Sequence, residues 1–220
     1  TFTSNVTSNT TVNDGHGGGL YTSGGTVTIT SSTFSLNQAA RESESADGGA
    51  VYQGGGTVTI TDSTLSINSS GDDGGGLYVG SATTTITNST FTLNTASTTR
   101  SAAAGGGLYG TAGIVTITSS TFSYNYAGSS GGGTRVDSSS TITITSSTFK
   151  GNSAQANGGG VYVDTGTATI TGGLYTLNMA TSSSRSGGAI YNDTSAMTIT
   201  SATIRGNEAG ASGGGILSSG

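Results

Sequence analysis

A unit of 26 to 31 residues recurs along all 220 residues of the chain, and a period of that size leaves few folds open. A glycine signature, Gly17-Gly18-Gly19-Leu20-Tyr21 in its first copy, starts again at Gly48, Gly74, Gly105, Gly131, Gly158, Gly187 and Gly213. A second signature, Thr-Phe-x-x-Asn or a close variant, ends at Asn5, Asn37, Asn68, Asn94, Asn125, Asn152, Asn178 and Asn207. A third, of the type Thr-Val-Thr-Ile-Thr, begins at Thr26, Thr57, Thr83, Ile114, Thr141, Thr167 and Ala196. From each Asn to the next glycine signature the gap varies between 5 and 11 residues, whereas the gap from the glycines to the third signature hardly changes. Insertions confined to one corner are expected of a solenoid whose loops project from one edge.

Each segment has a local reading. Thr26 to Thr30 alternates with period two and is built from β-branched residues, so Val27 and Ile29 face one way and the threonines the other. Thr33 to Asn37 reads as a second short strand with Phe34 and Leu36 inward. Leu20 opens a third, with Val51, Leu77, Leu108, Thr134, Val161, Ile190 and Ile216 in equivalent places. Three strands per unit predict an all-β, three-sided parallel β-helix of eight turns, on the order of 40 Å long at ~4.8 Å per strand.

Composition agrees with stacked turns. Pro is absent, and Pro cannot donate to a sheet ladder. Only 8% of residues are charged, because like charges stacked on neighbouring strands repel. Phe2, Phe34, Leu65, Phe91, Phe122, Phe149, Tyr175 and Ile204 form the expected interior column. The eight Asn residues form a second column, at a corner where Asn tolerates left-handed backbone and its amide bonds the amides above and below.

The Gly-Gly-Ala-Val and Gly-Gly-Ala-Ile forms at Gly48 and Gly187, paired with the Phe-x-x-Asn copies, resemble the repeat of chlamydial polymorphic outer membrane proteins. More broadly the chain resembles right-handed parallel β-helix passengers of bacterial autotransporters and adhesins, in the pectate-lyase-like superfold. The resemblance covers the whole chain and implies a right-handed coil in an exported, extracellular or cell-surface, bacterial protein. Most copies read Gly-Gly-Gly where that repeat has Gly-Gly-Ala.

Enzymes of the superfold use clustered carboxylates in a groove, often with Arg, Lys or calcium. Asp137, Asp164 and Asp193 lie two residues after the Tyr position on three consecutive turns, where either turn chemistry or a calcium ion accounts for them. Arg135 is the one basic residue near them, which argues against lyase or hydrolase chemistry. His16 sits in an insertion corner beside Asp14 without a defensible Ser-His-Asp order. Tyr21, Tyr52, Tyr78, Tyr109, Tyr162 and Tyr191 form a column that faces outward, since Arg135 and Leu217 fill its other two places. Such a column either stacks on itself or contacts sugars or a neighbouring rod. Thr26/Thr28/Thr30 and their equivalents form a flat grid of the kind that ice-binding solenoids present.

Six basic residues and a net charge of −5 exclude a nucleic-acid surface, no Cys is present, and no apolar run reaches a membrane span. Both ends fall inside a turn, so the expectation is one β-helix domain over residues 1–220 that continues in a longer solenoid or stacks end to end. The function expected is structural and not enzymatic: an extracellular fibre or adhesin stalk that self-associates, with polysaccharide contact and ice binding as alternatives. No cofactor is expected beyond the calcium candidate.

Overall fold

A computed structural model describes residues 1–7, 15–39, 46–138, 140–193 and 196–219. Among the described residues there is no helix, and 28 strands coil into three parallel sheets. An aromatic sheet stacks Phe2–Thr3, Thr33–Ser35, Thr64–Ser66, Thr90–Thr92, Thr121–Ser123, Thr148–Lys150, Leu174–Thr176 and Thr203–Arg205 in that order. A short sheet stacks the two-residue strands that follow each Asn, from Val6–Thr7 and Gln38–Ala39 to Glu208–Ala209. A long sheet holds the rest, and its strands Val51–Thr61, Leu77–Thr87 and Leu108–Thr118 run 11 residues without a break.

Three expectations change. The glycine-signature strand and the Thr-Val-Thr-Ile-Thr strand lie on one side of the coil, not two. The third side is the strand after each Asn, and two residues are too few to display a period. Eight strands in the aromatic sheet bound seven complete coils, with part of another beyond them, so eight copies give seven full turns. Leu36 is not inward: the strand ends at Ser35, and Leu36 turns the corner at φ 58° with half its surface exposed.

The register is that of identical turns. Thr57, Thr59 and Thr61 pair with Thr26, Thr28 and Thr30 on one side and with Thr83, Thr85 and Thr87 on the other, so the Thr grid exists. Ile114, half exposed, and Ala196 interrupt its first row. Inside, Val58, Ile60, Leu77, Ile86, Leu108, Val115, Ile117 and Ile142 pack with Phe34, Leu65, Phe91, Phe122, Phe149 and Tyr175. The rings stack face to face, with centroids 4.6 Å apart for Phe91 and Phe122 and 4.9 Å for Phe122 and Phe149. That separation is the strand spacing itself, so the sheet sets the ring contact. Phe2, at the first turn, remains 41% exposed although it stacks on Phe34 at 4.4 Å.

Candidate functional site

Three side-chain ladders run along the coil, and they decide which polar groups are free for chemistry. The Asn ladder comes first. Each Asn Nδ2 donates to Oδ1 of the Asn one turn on, at 2.8–3.1 Å from Asn5–Asn37 to Asn178–Asn207. The same Oδ1 accepts the backbone N–H of the preceding Asn. The second Nδ2 proton of Asn125 goes to the carbonyl of Phe91, and that of Asn152 to the carbonyl of Phe122. Asn37 to Asn178 are fully buried, so burial of six amides is tolerated because each has its partners.

The second ladder was not anticipated. Ser63, Ser89, Ser120 and Ser147 are buried, and each Oγ accepts the N–H of the equivalent residue one turn earlier at 3.1 Å. Each also donates to the carbonyl two residues before it. Its sequence signal is the Ser ahead of Thr-Phe, which ends at Gly173 and Ala202.

The third ladder lies at the insertion corner, in the residue before each glycine signature. His16 Nδ1 accepts the N–H of Asp47 at 2.9 Å, Asp47 Oδ1 that of Asp73 at 3.0 Å, and Asp73 Oδ1 that of Ala104 at 2.8 Å. Asn157 and Ser186 repeat the bond further along. His16 is therefore a backbone acceptor whose neutral form carries its proton on Nε2, and its ring stacks on Tyr52 at 4.5 Å. Burial pushes the Asp47 carboxyl up to about 6, opposed by the Asp73 N–H and by His16. Burial pushes Asp73 to about 8, opposed by the Ala104 N–H and reinforced by Asp72 and Asp47. Asp14, Glu42 and Glu44 lie outside the described residues.

Beside this corner the tyrosines stack as a stripe. Tyr21, Tyr52, Tyr78 and Tyr109 follow one another at 5.1, 4.8 and 5.6 Å, and Tyr162 meets Tyr191 at 5.2 Å. Arg135 fills the gap, its guanidinium 5.9 Å from the Tyr109 ring and 4.7 Å from the Tyr162 ring. Tyr21 is 56% exposed and Tyr162 only 8%, so the stripe is deepest at Tyr162, and Tyr191 on the next turn is again partly exposed. Burial raises the Tyr162 hydroxyl to about 12.

The aspartates expected as a stack occupy consecutive turns but serve different partners. Asp137 takes Arg135 Nε at 2.7 Å and the Tyr109 hydroxyl at 2.8 Å. Asp193 accepts Ser219 Oγ at 2.8 Å and lies 3.5 Å from the Tyr162 hydroxyl. Asp164 lies between them, its carboxyl raised by burial and then by Asp137 and Asp193. Among the described residues no three His, Asp or Glu side chains converge as a metal would require. The basic residues of the site are paired, Arg135 with Asp137 at 2.7 Å and Arg100 with Asp72 at 3.5 Å, while Asp47 and Asp73 are committed to backbone N–H groups and Asp193 to the Ser219 hydroxyl.

The family model for a right-handed beta helix region matches residues 2–174. The chain belongs to that family. Successive turns of such a coil run in the same direction, which accounts for the parallel pairing of every turn with the next. Searches of curated proteins and of solved structures returned no match. Within the described residues no helix of this β-helix is long and apolar enough to cross a membrane.

Proposed function

We propose that the chain is a rigid rod of an extracellular or cell-surface fibre or adhesin stalk. One observation carries the reading: the Asn amides buried at one corner of the coil are consumed by a ladder that ties each turn to the next, from Asn5 through Asn207. Such a rod transmits length and stiffness, and its uncharged Thr and Ser exterior offers little to a protease or a reactive substrate. Electron microscopy of the purified chain tests the shape, with straight rods, single or joined end to end, expected. Surface labelling of intact source cells tests the place. Labelling that requires lysis, or turnover of a polysaccharide by the purified chain, overturns the reading.

The Tyr stripe favours a second reading, contact with a cell-surface polysaccharide. Rings stacked face to face at strand spacing present a row of ring edges and hydroxyls from Tyr21 to Tyr78 that a polysaccharide can hydrogen-bond. Titration of soluble glycans against the chain and a Tyr52→Ala/Tyr78→Ala variant tests it. Equal heats for both chains remove the stripe from the account.

A further inference from the structure

At the corner between the aromatic sheet and the short sheet, the residue before each Asn adopts the left-handed region. Leu36, Ile67, Leu93, Tyr124 and Leu177 do so at φ 56–58°. A β-branched or bulky residue there is an outlier, costing more than Asn or Gly would. All five are also 51–57% exposed. Neither local backbone preference nor burial in the coil explains Leu and Ile at these places, and strain retained on a surface points to use.

Leu36, Ile67, Leu93 and Tyr124, on four consecutive turns, form one ridge, which Gly151 interrupts before Leu177. Tyr124 lies over the next turn, where a Cβ on Gly151 would come within 2.6 Å of its ring, and Leu177 leans over Gly206 in the same way. Lys150 Nζ, 5.9 Å from the Tyr124 ring, marks the charged end. From Thr33 to Ala127 the ridge and the strands on both sides of it carry no charged residue. The described acids of these turns lie elsewhere, Asp47, Asp72 and Asp73 at the insertion corner and Asp62 at the opposite corner of the aromatic sheet.

We propose that this ridge is a lateral docking surface for a second copy of the chain. Copies with a net charge of −5 repel, and this is a face on which two of them meet with no like charges opposed. A membrane or a nucleic acid finds no complementary charge on it. From Leu36 to Tyr124 the apolar side chains recur once per turn, at ~4.8 Å, so a rod with the same period meets all four at once. At about half exposure each of the four presents roughly 100 Å², so a pair of copies buries about 800 Å² from the ridges alone, and a specific interface of about 1,200 Å² or more also needs the Ser and Thr of the flanking strands. The contact deepens the structural reading, on which it rests, by adding side-to-side pairing to end-to-end continuity.

Two measurements test it on the 220-residue chain. In analytical ultracentrifugation the wild type associates with rising concentration, and Leu36→Asn/Ile67→Asn/Leu93→Asn weakens that association at least tenfold. Because Asn suits left-handed backbone, the variant's melting temperature stays level or rises, which separates lost docking from misfolding. The chain has no Cys, so single reporters are clean. Thr92→Cys, beside the ridge, is expected to give a bismaleimide-linked dimer, and Thr59→Cys, on the long sheet, to give none. A wild type that stays monomeric, a triple variant that associates as tightly, or equal crosslinking at both reporters overturns the proposal. Rods joined only at their ends would crosslink at neither reporter and survive the triple variant, sinking this inference while leaving the structural reading standing.

Discussion

The corner that begins at Ser31 and the corner that begins at Leu36 use one backbone design with two chemistries. Each places a left-handed residue first and an inward polar residue second. At the first corner the left-handed residues are Ser31, Asp62, Asn88, Ser119 and Ser146, followed by the Ser ladder. At the second they are Leu36, Ile67, Leu93 and Tyr124, followed by the Asn ladder. A Ser links its turn to the next by one bond. An Asn makes two to the next turn, through its backbone N–H and one Nδ2 proton, and a third back to the preceding turn through the other. The Ser ladder stops at Gly173 and the coil continues, whereas Asn is present in all eight copies. The difference teaches that the Asn corner holds the pitch of the coil and the Ser corner assists it.

The strongest break is at the Asn corner. Asn125→Ala removes the acceptor of the Asn94 N–H and Nδ2, the donor to the Phe91 carbonyl and one of the two donors to Asn152 Oδ1. At about 1–3 kcal/mol per unpaired group, a loss of about 4 kcal/mol is expected in chemical denaturation. A loss no larger than that of a Ser-ladder variant would erase the distinction between the corners.

Neither of those ladders titrates, but the third does, and pH separates it from them. Asp47 and Asp73 have carboxyls raised by burial from 3.8 to about 6 and about 8. A raised carboxyl binds its proton more tightly in the folded chain, so its contribution is complete below about pH 4 and is lost as pH rises through 6 and 8. The melting temperature is therefore expected to fall from pH 5 to pH 9. Asp73→Asn keeps an oxygen for the Ala104 N–H and flattens the upper part of that fall. A wild-type melting temperature independent of pH over this window would show both carboxylates to be solvated.

A smaller loss belongs to the Ser corner. Ser120→Ala removes the acceptor of the Ser89 N–H and one donor to the Thr118 carbonyl. About 1–2 kcal/mol is expected, below the Asn125 variant measured under the same conditions.

Legibility in the sequence followed from repetition of residue type. The Phe and Asn columns and the Thr register were readable because the same letter returns on each turn, and a parallel stack of equal turns places equal letters side by side. The short sheet was not, since Gln38–Ala39 or Ser69–Ser70 is too brief to carry a period. Leu36 was misplaced because alternation from Phe34 assigns it inward, and only its left-handed backbone turns it out. The ladder through His16, Asp47 and Asp73 escaped because His, Asp, Asn and Ser succeed one another there. What repeats at that position is an acceptor atom, not a residue.

The least effect expected is a gain, and it isolates the rule that both corners obey. Buried polar side chains are harmless in this coil when the next turn supplies a partner. Thr84 breaks that rule. It occupies the inward place that Val58 and Val115 hold on the neighbouring strands, it is fully buried, and its Oγ1 has no hydrogen-bond partner. Valine has nearly the same volume and no hydroxyl to leave unpaired. Thr84→Val is therefore expected to raise stability by about 1 kcal/mol, read as a shift in the denaturation midpoint at unchanged slope. Stability that stays the same or falls would mean that a lone hydroxyl costs little inside the coil. The ladders would then owe their strength to geometry shared by all eight Asn residues rather than to the satisfaction of buried polar groups.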